Sequence, residues 1–275
     1  MTPFRAQVQS DLHLEIGQQY NTYSFPVTAP YLILAGDIGR LIDYKNYLDF
    51  LKEQAARYKQ VFLVLGNHEF YEGDYEWVIE KSQKLCQETS LDGKVTLLHR
   101  TRWDDPDSEV TILGCTLWSH IPAGREAIVE SRINDFSKIG SWTAEEHNRV
   151  HQEELAWIKE QVSTHDAGNA SKRRYLVVTH HAPCMEGTSA PQHMGNPWNC
   201  AFASDLLDQD WPGVHTWIFG HTHFSADFIK NGIRVVANQR GYVFPWGARE
   251  LEVQAKGEGV KRLPHAFDEE MVVEL

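Results

Sequence analysis

An α/β fold built on buried, mainly parallel strands is what this sequence predicts, and three observations predict it. Short apolar runs of strand length recur along the chain. Segments with helical apolar spacing lie between them. Several of the runs stop at Asp, Asn or His, where an open sheet presents its carboxyl edge to a ligand. The 275 residues, 42% of them apolar, suit one large α/β domain, taken here as a single domain over 1–275.

The elements follow in order. "FRAQVQSD" alternates Phe4, Ala6 and Val8, which predicts a half-buried strand. "YLILAGD" (31–37), "VFLVLGN" (61–67), "VTILGC" (110–115), "YLVVTH" (175–180), "TWIFGH" (216–221) and "IRVVAN" (233–238) are continuous apolar runs, as strands buried on both faces require. The tail "MVVEL" fits a closing strand. Residues 44–59 carry apolar side chains at 44, 47, 48 and 51, the stripe of an amphipathic helix, and 75–88 show a weaker version. A third helix starts at a capping box, Thr143-Ala-Glu-Glu146, with Val150, Trp157, Ile158 and Val162 on one face. Two stretches, 118–141 and 182–204, resemble neither element. Loops of such length in a compact domain usually serve function.

Composition narrows the function. Net charge is -12, and the one basic cluster, "SKRRY" at 171–175, reads as a solvated strand entrance. A duplex nucleic acid is therefore not an expected partner. An acidic chain can still take an anionic substrate if metal ions make the site locally positive. No apolar stretch approaches the roughly 20 residues of a membrane helix. The N-terminus lacks the pattern of a signal peptide, and Cys86, Cys115, Cys184 and Cys200 show no C-x-x-C spacing. A cytoplasmic location is the expectation. The oligomeric state is left open.

The strand ends carry the chemistry. "SDLHLE" supplies Asp11 and His13, "LAGD" Asp37, "LGNHE" Asn67 and His68, "VTHHAP" His180 and His181, and "FGHTHF" His221 and His223. One such end is usually a turn or a hydrogen-bonded structural residue. Five in one chain should meet on one rim. Oxygen and imidazole donors without thiolate suit Mn, Fe or Zn. If the backbone stays extended, residues i and i+2 share a side, so Asp11/His13 and His221/His223 each form a two-pronged pair. Gly220 would let the backbone turn close to the site.

The order D-x-H, G-D, G-N-H-E, H, G-H-x-H resembles the calcineurin-like metallophosphoesterase superfamily, from Asp11 to His223. "NDF", "AFASDL" and "RGY" further resemble a small bacterial and fungal branch of it with no settled substrate. The resemblance implies a four-layer α/β/β/α sandwich of two mixed sheets, the metallophosphatase fold. It implies two divalent or trivalent transition metal ions, the first held by Asp11, His13 and His223, the second by Asn67, His180 and His221. Asp37 would bridge them, and His68 would be the catalytic histidine. The implied reaction is phosphoester hydrolysis by a metal-activated water, with His68 as general acid. A small-molecule phosphodiester is the expected substrate. A phosphomonoesterase or protein phosphatase is the alternative, and a non-catalytic scaffold of the same fold a third reading.

One departure stands out. Protein phosphatases of the superfamily read G-D-x-V-D-R-G, whereas this chain has "GDIGRLID". The carboxylate that often orients the catalytic histidine in the superfamily is then missing or comes from elsewhere, with Asp43 a candidate. Glu69 supports the site or the fold. Arg240, in "NQRGY", could clamp a phosphate or pair with a surface carboxylate. Asn134 and Asp135 could reach a substrate or simply close a turn. His181 and His120 are further candidates for lining the pocket, and Trp198 for stacking on an aromatic group.

Overall fold

The computed structural model describes residues 3–163, 173–244 and 265–275. Ser171 and Lys172 of the basic cluster lie outside that range. Two sheets pack face to face. The first contains β1 (Arg5–Gln9), β2 (Tyr31–Ala35), β3 (Gln60–Val64), β4 (Val95–Leu97) and β11 (Val272–Glu274), in the order β11-β1-β2-β3-β4. The second contains β5 (Thr101–Asp104), β6 (Val110–Gly114), β7 (Arg174–Val178), β8 (Val214–Phe219), β9 (Ala226–Lys230) and β10 (Ile233–Ala237), in the order β5-β6-β7-β8-β10-β9. Both sheets are parallel inside. Antiparallel β11, β5 and β9 sit on three of the four edges.

Apolar alternation explains the stacking. Ala6, Val8, Ile33, Phe62 and Val64 face Ile112, Leu176, Val178, Ile218 and Val236 in the layer between the sheets. The other face of the first sheet buries Leu32, Leu34 and Leu63 against helices α1 (Tyr44–Arg57) and α2 (Tyr75–Cys86), through Tyr47, Phe50, Leu51, Val78 and Leu85. The second sheet offers Leu113, Val177, Trp217 and Phe219 to Ile158 and Val162. These come from α5 (Ala144–Ser163). This is the four-layer sandwich. Emptying one central position, as in Phe62→Ala, would cost ~3–5 kcal/mol.

Several sequence expectations change. β1 is buried on both faces. The Gln7 amide donates to Pro26 O (2.9 Å), and its oxygen accepts from Tyr58 Oη (2.7 Å) and Thr28 N (3.0 Å). A loop therefore satisfies the polar side of the alternation. The stretch 118–141 contains two short helices, α3 (Glu126–Arg132) and α4 (Asp135–Lys138). The N-cap of α5 forms as expected, with Glu146 N donating to Thr143 Oγ1 at 3.2 Å. The Glu146 carboxylate pairs with Arg149 instead of turning back.

The two sheets join at their carboxyl edges. Arg240 N donates to Ser10 O and Gly241 N to Asp11 O, each at 3.0 Å. Gly220 N donates to His180 O (2.9 Å). A Cβ on Gly220 would stand 2.2 Å from Ser10 Oγ and 2.7 Å from Asp11 Oδ2, so only glycine permits this approach. The seam between the sheets is thereby where the strand-end side chains gather.

Candidate metal centre

The rim is built from backbone that has left the strands. Asp11, His13, Asp37, His221 and His223 have φ of 52°, 47°, 53°, 75° and 51°. Left-handed residues of this kind cost about 1–3 kcal/mol each and persist only where their surroundings enforce them. The paired donors thus converge through left-handed turns. The expected extended i, i+2 alternation is absent there, because the ladder ends at Gln9 and at Phe219.

Three donor groups result among the described residues, one of them His13, Glu15 and His68, and the other two meet at Asp37. Asp11, His13 and His223 bring ligand atoms within 4.8 Å of one another, and so do Asp37, His180 and His221. Asp37 lies between them: Oδ2 is 3.7 Å from His13 Nε2, and Oδ1 is 3.4 Å from His180 Nε2. Asn67 Oδ1 is 3.1 Å from that same His180 nitrogen. His180 Nδ1 faces Ala35 O at 3.0 Å, which assigns the proton there and frees Nε2.

These residues fit cations. His13 Nε2 and His223 Nε2 meet at 2.9 Å, and His221 Nε2 is buried without a hydrogen-bond partner. Lone pairs that converge and lack donors are what a metal satisfies. The buried Asp37 carboxylate draws positive charge to the rim, and at His180 a cation would have to displace the proton on Nε2. Burial opposes charge on His68 and His180, yet the Asp37 carboxylate outweighs it and lifts both to about 9. Burial and the neighbouring His180 push His221 well below the ordinary histidine value.

Supporting groups hold the rim. Glu69 is fully buried. It accepts from Gly66 N (2.7 Å), Ile38 N (2.8 Å), Asp37 N (3.0 Å) and Tyr47 Oη (2.9 Å), tying the second and third motifs together. Burial, with Asp37 nearby, raises its pKa to about 7. Asp135 Oδ1 accepts from Asn67 Nδ2 (2.8 Å) and Tyr71 Oη (2.9 Å), so the Asn67 amide oxygen is left facing His180.

A cavity of about 490 Å³ opens over the clusters. Asp37, Asn67, His68, His221 and His223 form its floor, and Arg132, Asn134, Met185, Trp198 and Tyr242 are among its walls. Both long irregular stretches thus contribute to it. Other candidates lie elsewhere. The Arg240 guanidinium donates to Leu12 O (3.0 Å) and Gln19 Oε1 (2.9 Å) and covers the Tyr23 ring, so it braces a loop and does not line the cavity. His181 is buried against His221, with ring centroids 4.2 Å apart, and is also absent from the lining. His120 is exposed outside it. Asp43 pairs with Arg40 and accepts from Tyr20, not from His68.

The carboxylate on His68 is Glu15, with Oε1 2.9 Å from Nδ1. Glu15 stands in the quoted "SDLHLE", but no periodicity marks it. Tyr242 Oη lies 3.2 Å from His68 Nε2. Arg132 sits over the Trp198 ring at 5.4 Å. Sequence reasoning assigned no role to Glu15 or Tyr242, and counted Arg132 only as a sign that the 118–141 stretch is functional. Each acts through partners far away along the chain.

Comparison with known proteins agrees with this geometry. The family model of the calcineurin-like phosphoesterases matches residues 7–225. The chain belongs to that family. Metal-dependent phosphoester hydrolysis is the chemistry of its members, and a dimetal centre goes with it. An uncharacterised protein, L509 of Acanthamoeba polyphaga mimivirus, is 28% identical, covering 85% of this chain and 89% of its own. The phosphopantetheinyl hydrolase of Mycobacterium tuberculosis is similar in fold, with a TM-score of 0.65 and 16% identity over 97% of this chain and 99% of that one. A dimetal phosphatase from Danio rerio is also similar, with a TM-score of 0.53 and 14% identity over 86% and 88% of the two chains. No helix among the described residues is long and apolar enough to cross a membrane.

Proposed function

We propose that this chain hydrolyses small-molecule phosphodiesters at a two-cation centre. The observation that carries this reading is the position of Asp37, one oxygen toward each of the two clusters that meet at it. Asp11, His13 and His223 would hold the first cation, and Asn67, His180 and His221 the second, with Asp37 placed to serve either. Such ions, Mn, Fe or Zn by donor type, supply charge neutralisation at the phosphoryl oxygens and a water acidified toward neutral pH.

The chain's own residues do the rest. Asp135 keeps the Asn67 oxygen aimed at the second cluster. His68 presents Nε2 to the cavity, where it protonates the leaving oxygen. Asn134 and Arg132 stand on the wall, in reach of the ester's substituents. Among the described lining residues Arg132 is the one lysine or arginine, which suits a singly charged diester better than a doubly charged monoester. Met185, Met194 and Trp198 provide apolar surface for an organic group. The four cysteines are free, in keeping with a reducing compartment, and we place the protein in the cytoplasm.

The test is a pair of assays with Mn, Fe or Zn supplied. kcat/KM on bis(p-nitrophenyl) phosphate is expected to exceed that on p-nitrophenyl phosphate by roughly tenfold or more, about 1.4 kcal/mol of discrimination. The opposite ranking would turn the assignment to a phosphomonoesterase.

A further inference from the structure

We propose that Glu15 is the positioning residue of the site, with one carboxylate oxygen aligning both His68 and the metal-facing His13. This rests on the hydrolase reading above. Glu15 Oε1 lies 2.9 Å from His68 Nδ1 and 3.2 Å from His13 Nδ1, while Oε2 is buried with no partner. All its hydrogen bonding therefore runs through a single atom shared by two rings.

The consequence is geometric. With both Nδ1 atoms engaged, each ring turns its Nε2 to the working side. His13 Nε2 meets His223 Nε2 (2.9 Å) and Asp37 Oδ2 (3.7 Å), the first donor cluster. His68 Nε2 meets Tyr242 Oη (3.2 Å) and Asp37 Oδ2 (3.9 Å), on the cavity floor. The two rings touch edge to face, their centroids 4.4 Å apart. A carboxylate behind an imidazole fixes its tautomer and its plane. Here one such group links the metal site and the proton donor, so neither ring can swing without disturbing the other.

Local structure delivers Glu15 to this point. His13 N donates to Asp37 O (3.0 Å) and Leu14 N to Ile38 O (2.9 Å), pinning the segment beside the second motif. The left-handed turn at His13 then sends the chain onward, and the Glu15 side chain ends 9% exposed. Asp43 is engaged by Arg40 and Tyr20 and leaves the place to Glu15.

Glu15→Gln keeps the shape and one acceptor oxygen but removes the charge that draws both Nδ1 protons. Two diesters separate positioning from bulk damage: bis(p-nitrophenyl) phosphate, whose leaving group departs without a proton, and diphenyl phosphate, which needs one. In E15Q, kcat on diphenyl phosphate is expected to fall about 10²-fold, with KM within about twofold and less than a tenfold loss on the nitrophenyl ester. Glu15→Asp should fall between E15Q and the parent. Adding E15Q to His68→Ala should cost no more than the small loss E15Q shows on the nitrophenyl ester, the share that runs through His13. Equal losses on the two esters, or losses that multiply in the double variant, would overturn the role.

A second readout needs no turnover. In zinc-loaded protein, proton NMR should show a far-downfield His68 Nδ1 proton that moves upfield in E15Q and vanishes in H68A. An unshifted resonance in E15Q, or its absence from the parent, overturns the proposal. A parent enzyme that cleaves neither ester defeats the functional reading instead and leaves this spectroscopic test intact.

Discussion

Two histidine-rich regions share this fold and behave in opposite ways. At the rim, His13, His68, His180, His221 and His223 surround Asp11, Asp37 and Glu15. Behind it, His99, His147, His151 and Glu154 are packed around α5. Each set contains buried groups, but burial governs the second throughout and the first only at His221 and His223, which it lowers. In the second it lowers His147 to about 3 and His99 to about 4 and raises Glu154 to about 8, so that region is uncharged near neutrality. Its histidines bond to the local chain: His147 Nε2 accepts from Ser119 N (3.2 Å), and His151 Nδ1 donates to Leu117 O (2.9 Å). At the rim, carboxylates override burial and hold His68 and His180 near 9. Convergent carboxylates, more than histidine content or depth, distinguish a cation site from a polar core.

The contrast can be broken experimentally. Asp37→Asn removes the charge common to both clusters. Metal content by elemental analysis should collapse, and turnover should fall by roughly 10³-fold, the upper end for losing one preorganised electrostatic group. An active D37N would remove the reason to treat the rim as one centre.

Next in size is His68→Ala. Turnover should drop 10²–10⁴-fold, the usual reach of general acid catalysis, while the metals stay bound. Metal loss here would instead make His68 part of the cation site.

Chelation compares the regions by stability. Ions that bind only the folded chain at about a hundred times their Kd contribute roughly 2.7 kcal/mol. EDTA should therefore lower Tm by ~5–10 °C in calorimetry. An unchanged Tm would leave the rim without its cations.

The smallest effect belongs to the interior. Glu154 titrates near 8 in the fold against an ordinary value of 4.5, because burial disfavours its charge. The raised value sets the sign. Its contribution is complete below pH 4.5 and drains away as pH climbs through 8. Glu154→Gln should flatten that decline and be more stable at pH 8 by on the order of 2 kcal/mol, while equalling the parent at pH 4. Denaturation at the two pH values checks it, and turnover should not move.

Legibility varied by element for physical reasons. β2, β3, β6, β7, β8 and β10 were readable because strands buried on both faces must be apolar throughout. β4 is three residues long, and β5 reads "TRWD", so neither carries a period. β9 leaves Ile229 74% exposed and lacks a clean stripe. Its hairpin did have a signal, Asn231-Gly232, both left-handed at φ 50° and 83°. The donor side chains were legible as types and in order. Their turns were not, since left-handed backbone at Asp or His leaves no trace in hydropathy.

Residue order alone settled the α/β class, the main strands and helices, and which carboxylate and imidazole side chains stand at the strand ends. Those follow from local chemistry: apolar periodicity, and the ligand preferences of carboxylate and imidazole. Packing settled which carboxylate backs His68, what Asp135 holds and where Arg240 points. His68 meets Tyr242 across 174 positions, and Asn67 meets Asp135 across 68. Contacts of that span depend on how two sheets close at a seam where Gly220 lets them touch, and no local pattern encodes that closure.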